Sequence, residues 1–353
     1  GPTFAFKDYA LQFLGNLFSE MLKNKKRKIT IIGATSGDTG SAAINAFKGK
    51  NEIDVFILHP HEKVSDVQRL QMTSVNEKNI HNIAIKGTFD DCQKIVKDLF
   101  MDNDLQSKTS LTAVNSINWA RLIAQTVYYF WTYVQLNENK INFIVPSGNF
   151  GNIFSARIAK YMGLPIEQLH IVTNSNDILN RTMTSGIMKI DKVTQTYSPS
   201  MDIQVSSNFE RQLFESNNRN ATNIRKIMMN FVNNGYYELE EDILNNLKSI
   251  YLSHSVSNQE TLKTIKLFND NFNYLADPHT ATGLNILNKL NNNTPVISLA
   301  CAHPAKFGDA IKEATGNYPK MPKELENLFD KEEKVVILEN DINIIKNFIL
   351  KYL

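Results

Sequence analysis

Cysteine is scarce in this sequence, and that scarcity excludes most. Cys92 and Cys301 are the two in 353 residues. They lie too far apart for a disulfide framework, so a reducing compartment, the cytoplasm, is expected. His59 and His61 flank Pro60 with no matching Cys or carboxylate spacing, so the stretch reads as a surface turn and no metal is expected. No apolar run reaches membrane-crossing length, and no charged-then-apolar leader opens the chain. Charge of one sign is lacking too. The net charge of +2 is too small to draw in nucleic acid or an anionic membrane, so neither is an expected partner. The one basic run, Lys23-Asn24-Lys25-Lys26-Arg27-Lys28, suits a helix C-terminus. No internal repeat is found. The first residue is Gly1 rather than methionine, so the chain is expected to begin inside a larger protein.

What is present is an alternation. Leu11, Leu14, Leu17, Phe18 and Leu22 follow helical spacing over 8–22. Short β-branched runs at 28–32, 54–58 and 82–86 read as buried strands, with helices over 39–47, 64–72 and 90–100 between and after them. The spacing predicts a domain crossing around 107–112. Beyond it come a long aromatic-rich helix at 118–134, strands at 142–145 and 169–172, and a helix at 151–161 between them. An asparagine-rich, mostly helical stretch covers 206–273. A strand at 295–300 and a helix at 306–313 follow, and tracts such as Asn291-Asn292-Asn293 read as solvated turns. Strand-helix alternation favours an α/β fold with a mainly parallel sheet.

Two glycine-bearing turns lie where a strand hands over to a helix. Gly33-Ala34-Thr35-Ser36-Gly37-Asp38-Thr39-Gly40 is neither a P-loop nor a dinucleotide fingerprint. Its small residues still let backbone amides approach an anion at a helix N-terminus. Pro146-Ser147-Gly148-Asn149-Phe150-Gly151 offers a second such turn. Two anion turns in one chain suit a cofactor phosphate and a substrate phosphate or carboxylate. Lys7, set between Phe6 and Asp8, is the candidate amine. Phe4 and Phe6 are expected to give it an apolar setting that lowers its pKa.

These motifs, with Asn115-Ser116-Ile117-Asn118-Trp119-Ala120-Arg121, Thr173-Asn174-Ser175-Asn176-Asp177, Met201 to Arg211, Asp277-Pro278-His279-Thr280-Ala281 and Ala302-His303-Pro304-Ala305-Lys306-Phe307, resemble threonine synthase. The resemblance runs from residue 1 to about Asp309. It implies two α/β domains of the tryptophan-synthase-β-like kind, fold type II among pyridoxal phosphate enzymes, with the active site in the cleft between them. The expected division is 1–27 as the lysine-bearing helix of the large domain, 28–110 as the smaller domain and 111–353 as the large one. The implied activity is a carbon–oxygen lyase that turns O-phosphohomoserine and water into threonine and phosphate. Lys7 would carry the cofactor. Gly148, Asn149, Phe150, Gly151 and Asn152 would hold its phosphate, and Cys301 would meet its ring nitrogen. Thr35, Ser36, Asp38, Thr39, Asn118 and Arg121 would bind substrate, Arg121 by gripping phosphate. A structural salt bridge is the other reading of Arg121. His279 and His303 would line the cleft, with a helix-starting contact open for His279. A monomer or a weak homodimer is expected.

Three departures stand out. Cys301 replaces a small hydroxyl residue, and a thiol is a weak hydrogen-bond partner. Asn152 replaces an aspartate. The domain that precedes the lysine motif in the family is expected to be missing ahead of Gly1. A phospholyase releasing a 2-oxo acid, and an inactive N-terminally truncated fragment, stay open beside threonine synthase.

Overall fold

The structure is a computed structural model that describes residues 1–116, 118–136, 138–290 and 293–353. Ile117 of the 115–121 motif, and Asn291 and Asn292 of the asparagine tract, lie outside the described residues. The chain forms two compact units, Gly1–Arg121 with Lys320–Leu353, and Leu122–Pro319.

In chain order the first unit opens with α1 (Asp8–Lys25), β1 (Ile29–Ala34), α2 (Asp38–Phe47), β2 (Ile53–Pro60) and α3 (Asp66–Thr73). It continues with β3 (Ile80–Lys86), α4 (Phe89–Met101), α5 (Asn103–Lys108) and β4 (Leu111–Thr112). α6 (Trp119–Leu136) starts in its last residues. The second unit follows with β5 (Ile141–Pro146), α7 (Gly151–Tyr161), β6 (Ile166–Thr173), α8 (Ile178–Ser185) and β7 (Ile187–Lys189). Next come α9 (Phe209–Ser216), α10 (Ala221–Asn234), β8 (Tyr236–Glu238), α11 (Glu241–Ile250), β9 (Tyr251–Ser255) and α12 (Asn258–Phe272). α13 (Pro278–Leu287), β10 (Val296–Ser298) and α14 (Gly308–Thr315) complete it, with 3-10 turns at Pro199–Met201 and Pro304–Phe307. The chain returns to the first unit with α15 (Lys323–Glu326), β11 (Val336–Glu339) and α16 (Ile342–Leu350).

The first unit is built on a parallel sheet ordered β11-β3-β2-β1-β4. Successive side chains alternate faces, and both faces are apolar. Ile31, Val55 and Ile57 join Leu11, Leu14 and Phe47 of α1 and α2 on one side. Ile32, Phe56, Leu58 and Ile83 join Leu99, Ile345 and Ile349 on the other. Each such buried side chain contributes about 1.5–3 kcal/mol. The second unit has a parallel sheet ordered β10-β5-β6-β9 and a small antiparallel pair, β7 with β8.

In each sheet the strand order reverses beside one strand. β2 and β3 extend to one side of β1 while β4 lands on the other. β6 and β9 extend to one side of β5 while β10 lands on the other. Ligands of open α/β sheets bind at the carboxyl ends of strands at such a reversal. The two glycine turns follow β1 and β5.

The grouping of segments differs from the expected one. α1 lies against α2 in the first unit, and Gly15 permits it: a Cβ there would stand 2.3 Å from the Ala46 carbonyl oxygen. The stretch near 107–112 is no crossing. Asp102 caps α5 through the Leu105 amide, and β4 pairs with β1 at Thr30 and Ile31. His59 is no surface residue; it is buried at the end of β2, and burial pushes its pKa down.

Candidate active site

Consider first the reversal beside β1. The Thr35 hydroxyl oxygen accepts the amides of Gly37 at 3.0 Å and Gly40 at 2.9 Å. Thr35 is buried and braces its own turn from inside. Ser36 and Thr39 are half-buried, and among the described residues neither hydroxyl meets a protein partner. Asp38, in the first turn of α2, has both carboxylate oxygens engaged. Gln68 Nε2 donates to Oδ1 at 2.8 Å, and Lys7 Nζ stands 3.5 Å from Oδ2.

Lys7 is held by the turn before α1. The buried Asp8 carboxylate accepts the amides of Thr3 (2.8 Å) and Ala5 (3.3 Å) and the Thr3 hydroxyl. Phe4 adopts a left-handed φ of 56° and packs with Val67, Leu70, Met321, Leu325 and Leu328. Phe4 therefore belongs to that cluster, and Lys7 Nζ has an ionic neighbour on the Asp38 side. Grouping Asp38 with anion ligands does not suit its charge, since a carboxylate repels the phosphate or carboxylate of a substrate.

After β4 the chain turns toward α6. The Asn118 side-chain oxygen accepts the Ala120 amide at 3.0 Å, and its Nδ2 donates to the Ala113 carbonyl at 3.3 Å. Arg121 is buried and donates from Nη1 to the Val114 carbonyl at 2.9 Å. Both residues shape the connection that leaves the β4 end.

In the second unit, the turn after β5 is held by its carbonyls. Ser206 Oγ donates to the Gly148 carbonyl at 2.8 Å, and the Asn208 amide and Nδ2 both donate to the Asn149 carbonyl at 3.1 Å. Phe150 has φ 62° and is buried, with edge contacts to Phe209 and Tyr251. A Cβ on Gly148 would lie 3.0 Å from Met201 Cα and Ile203 Cδ1. With the carbonyls so tied, the amides of Gly148, Asn149, Phe150 and Gly151 meet no protein acceptor among the described residues. No acidic residue stands in the first turn of α7. Four successive donors at a helix N-terminus fit a phosphate group.

Asn152 has a different job from its expected one. Its Nδ2 donates to the Pro146 carbonyl, and its Oδ1 accepts from Ser147 Oγ at 2.6 Å and the Ile153 amide at 3.0 Å. The side chain ties the strand end to the helix start. An aspartate could not make the donation to Pro146.

Cys301 leaves β10, the strand beside β5. Its amide donates to Thr280 Oγ1 at 2.8 Å, and its thiol lies 3.8 Å from the Leu299 carbonyl. Asp277, fully buried, organises this edge. It accepts the Thr280 hydroxyl, the Ala302 amide at 3.2 Å and His279 Nδ1–H at 2.9 Å. His279 Nε2 in turn accepts the Ser200 amide at 3.2 Å. His279 is thus a helix-starting contact that anchors the 199–201 turn. Asp202, next to that turn, gathers Asn174, Asn176 and Thr196, while burial raises its pKa.

Sequence reasoning passed over Gln68. A signal existed: Ser65-Asp66-Val67-Gln68 has capping-box spacing. The Ser65 hydroxyl oxygen does accept the Gln68 amide at 3.4 Å, but the Gln68 side chain turns to Asp38.

Pyridoxal phosphate needs a lysine amine, a cradle for its phosphate and a polar neighbour for its ring nitrogen. Groups of these kinds are present: Lys7 in the first unit, and the 148–151 amides and the Thr280–Cys301 edge in the second. Comparison with known proteins agrees. The family described as pyridoxal-phosphate dependent enzyme matches residues 1–228, and threonine synthase, C-terminal, matches 280–349. Threonine synthase of Pseudomonas aeruginosa is 43% identical, with 100% of this chain and 76% of that protein covered. The chain belongs to the threonine synthase family. Within this family, the crystal structure of pyridoxal-phosphate-bound threonine synthase from Brucella melitensis has 45% identity and a TM-score of 0.95, covering 100% of this chain and 76% of that one. Threonine synthase from yeast gives 41% and 0.92, over 100% and 76%.

Proposed function

We infer that the chain makes threonine and inorganic phosphate from O-phosphohomoserine and water, with pyridoxal phosphate as cofactor. The observation that carries this is the acceptor-less amide run at 148–151 in a chain related over its whole length to threonine synthases. When bound, the cofactor supplies an electron sink that makes protons on the substrate Cα and Cβ removable.

The residues divide the remaining work. Lys7 would carry the cofactor, and its free amine would move protons at the substrate Cα and Cβ. Phosphate leaves from Cγ, the proton taken from Cβ is returned at Cγ to make the methyl group, and water gives its hydroxyl to Cβ and its remaining proton to the phosphate. Asp38 holds the Lys7 amino group by its charge. Ser36 and Thr39 offer hydroxyls to the substrate carboxylate or phosphate, and Arg121, shaped with Asn118 after β4, grips the phosphate. The 148–151 amides hold the cofactor phosphate, Asn152 keeps that turn closed, and Cys301 borders the ring. Charge stabilisation of the leaving phosphate is the protein's largest contribution. We place the protein in the cytoplasm, where its two thiols, neither in a disulfide, suit the redox state.

The test is product analysis with purified protein, pyridoxal phosphate and O-phosphohomoserine. Threonine and phosphate in equal amounts are expected. A 2-oxo acid in place of threonine overturns the assignment.

A further inference from the structure

A buried amide lies behind the carboxylate that faces Lys7. Gln68, 2% exposed, sits in the first turn of α3. Its Nε2 donates to Asp38 Oδ1 at 2.8 Å, and its Oε1 accepts from Ser65 Oγ at 2.9 Å. The orientation of the amide is forced, because an ionised carboxylate can only accept. Asp38 itself is 4% exposed, and its second oxygen stands 3.5 Å from Lys7 Nζ. A chain of polar contacts therefore runs from Ser65 through Gln68 and Asp38 to the lysine.

The backbone is fitted to this amide as well. Gly37 has φ 141°, a conformation side chains rarely adopt, and a Cβ there would lie 2.4–2.6 Å from the Gln68 amide group. The glycine before Asp38 thus leaves room for Gln68. The same helix reaches the other side of the lysine turn. Gln71 Nε2 donates to the Thr3 carbonyl at 3.2 Å, and Val67 and Leu70 pack with Phe4.

We propose that Gln68 is a positioning residue for Lys7, fixing Asp38 so that one carboxylate oxygen faces the lysine amine in every turnover. This rests on reading Lys7 as the cofactor-bearing lysine. Removing the amide's N–H frees the carboxylate to rotate, and a buried carboxylate that loses a donor holds a neighbouring ammonium less well.

The test uses full-length protein freed of cofactor, acylated with acetic anhydride at pH 8 and read at Lys7 by peptide mass spectrometry. Gln68→Met keeps the volume and removes the N–H; a rise of three-fold or more in the Lys7 rate is expected. Asn82→Leu, at another buried amide of this unit, is expected to leave the rate unchanged. In an Asp38→Asn background, Gln68→Met is expected to add nothing, the sign of action through Asp38. Gln68→Glu, which sets a second carboxylate against Asp38, is a further variant should Gln68→Met fold poorly, and a changed Lys7 rate is expected there too. An unchanged Lys7 rate in both Gln68 variants, an equal rise in Asn82→Leu, or full additivity with Asp38→Asn overturns the proposal. Borohydride reduction of the cofactor-loaded protein separates this from the reading beneath it. If the reduced cofactor maps to a lysine other than Lys7, that reading fails while the acylation result stands by itself.

Discussion

The two glycine turns look alike as sequence and behave as opposites. The turn after β1 spends its Gly37 and Gly40 amides on its own threonine and places a carboxylate in the first turn of α2. The turn after β5 ties up its carbonyls and leaves four amides in a row, with no acid in the first turn of α7. One helix start sets an acid beside a lysine amine, the other a run of amides with no protein acceptor among the described residues. A small-residue turn before a helix therefore does not by itself announce what charge it holds. The accounting of each amide and carbonyl does.

The contrast can be broken from either side. Asp38→Asn removes the acid of the first turn, and kcat/KM is expected to fall about 100-fold, the scale of one proton-handling group. Steady-state kinetics beside equilibrium dialysis of pyridoxal phosphate would show the loss in rate, with cofactor phosphate affinity little changed. An equal loss in both would merge the two turns into one role.

Acid should affect both units in the same way. Burial, with the charge of Lys334 adding, holds His81 of the first unit down to about 4; burial, with His254 adding, does the same for His170 of the second. Both are neutral in the fold and return to about 6.5 when unfolded. Their contribution is thus complete above pH 6.5 and disappears as pH falls toward 4, costing about 2 kcal/mol each by pH 5. Urea unfolding at pH 7 and pH 5 checks this. If His81→Phe leaves the pH 7 to 5 difference unaltered, the assignment to His81 is wrong.

Asn152→Asp sharpens the comparison from the anion side. The donation to Pro146 is lost and a negative charge enters beside the four amides. Cofactor affinity is expected to drop about ten-fold, or 1.4 kcal/mol, by the same dialysis. A tighter complex would mean that the amide run serves something other than phosphate.

The smallest effect is expected at the thiols. Burial pushes Cys92 up to about 12, so Ellman's reagent at pH 8 should leave it unmodified until the first unit unfolds. Rapid native labelling at Cys92 would contradict the closed packing of that sheet face.

Much of this was legible beforehand, and the gaps have physical reasons. Buried parallel strands declare themselves as β-branched runs, so β1, β2 and β3 were placed within two residues. α7 was placed to the residue. β9 was hidden because Tyr251-Leu252-Ser253-His254-Ser255 mixes polar residues into a strand that has one neighbour, β6. α16 and β11 received no reading, although Ile345 and Ile349 complete a core whose other members lie far earlier in the chain. At the site, lysine and glycine turns carry their own signatures. The direction in which Asp38 faces does not, because it is decided by Gln68, an amide thirty residues away in sequence whose spacing advertises a helix cap.

The return of β11 to β3 bears on how the protein is made. A ribosome has delivered everything through Arg121 long before residue 336, an interval on the order of ten to forty seconds at ordinary translation speeds. Throughout it the rim of β3 has no neighbour on that flank, since Val336–Glu339 are what pair with Ile83–Lys86. Such a rim invites pairing with another nascent chain. Chaperone demand should therefore persist until Val336–Glu339 are made, and premature stops just upstream of Val336 should yield aggregates rather than a soluble shortened product.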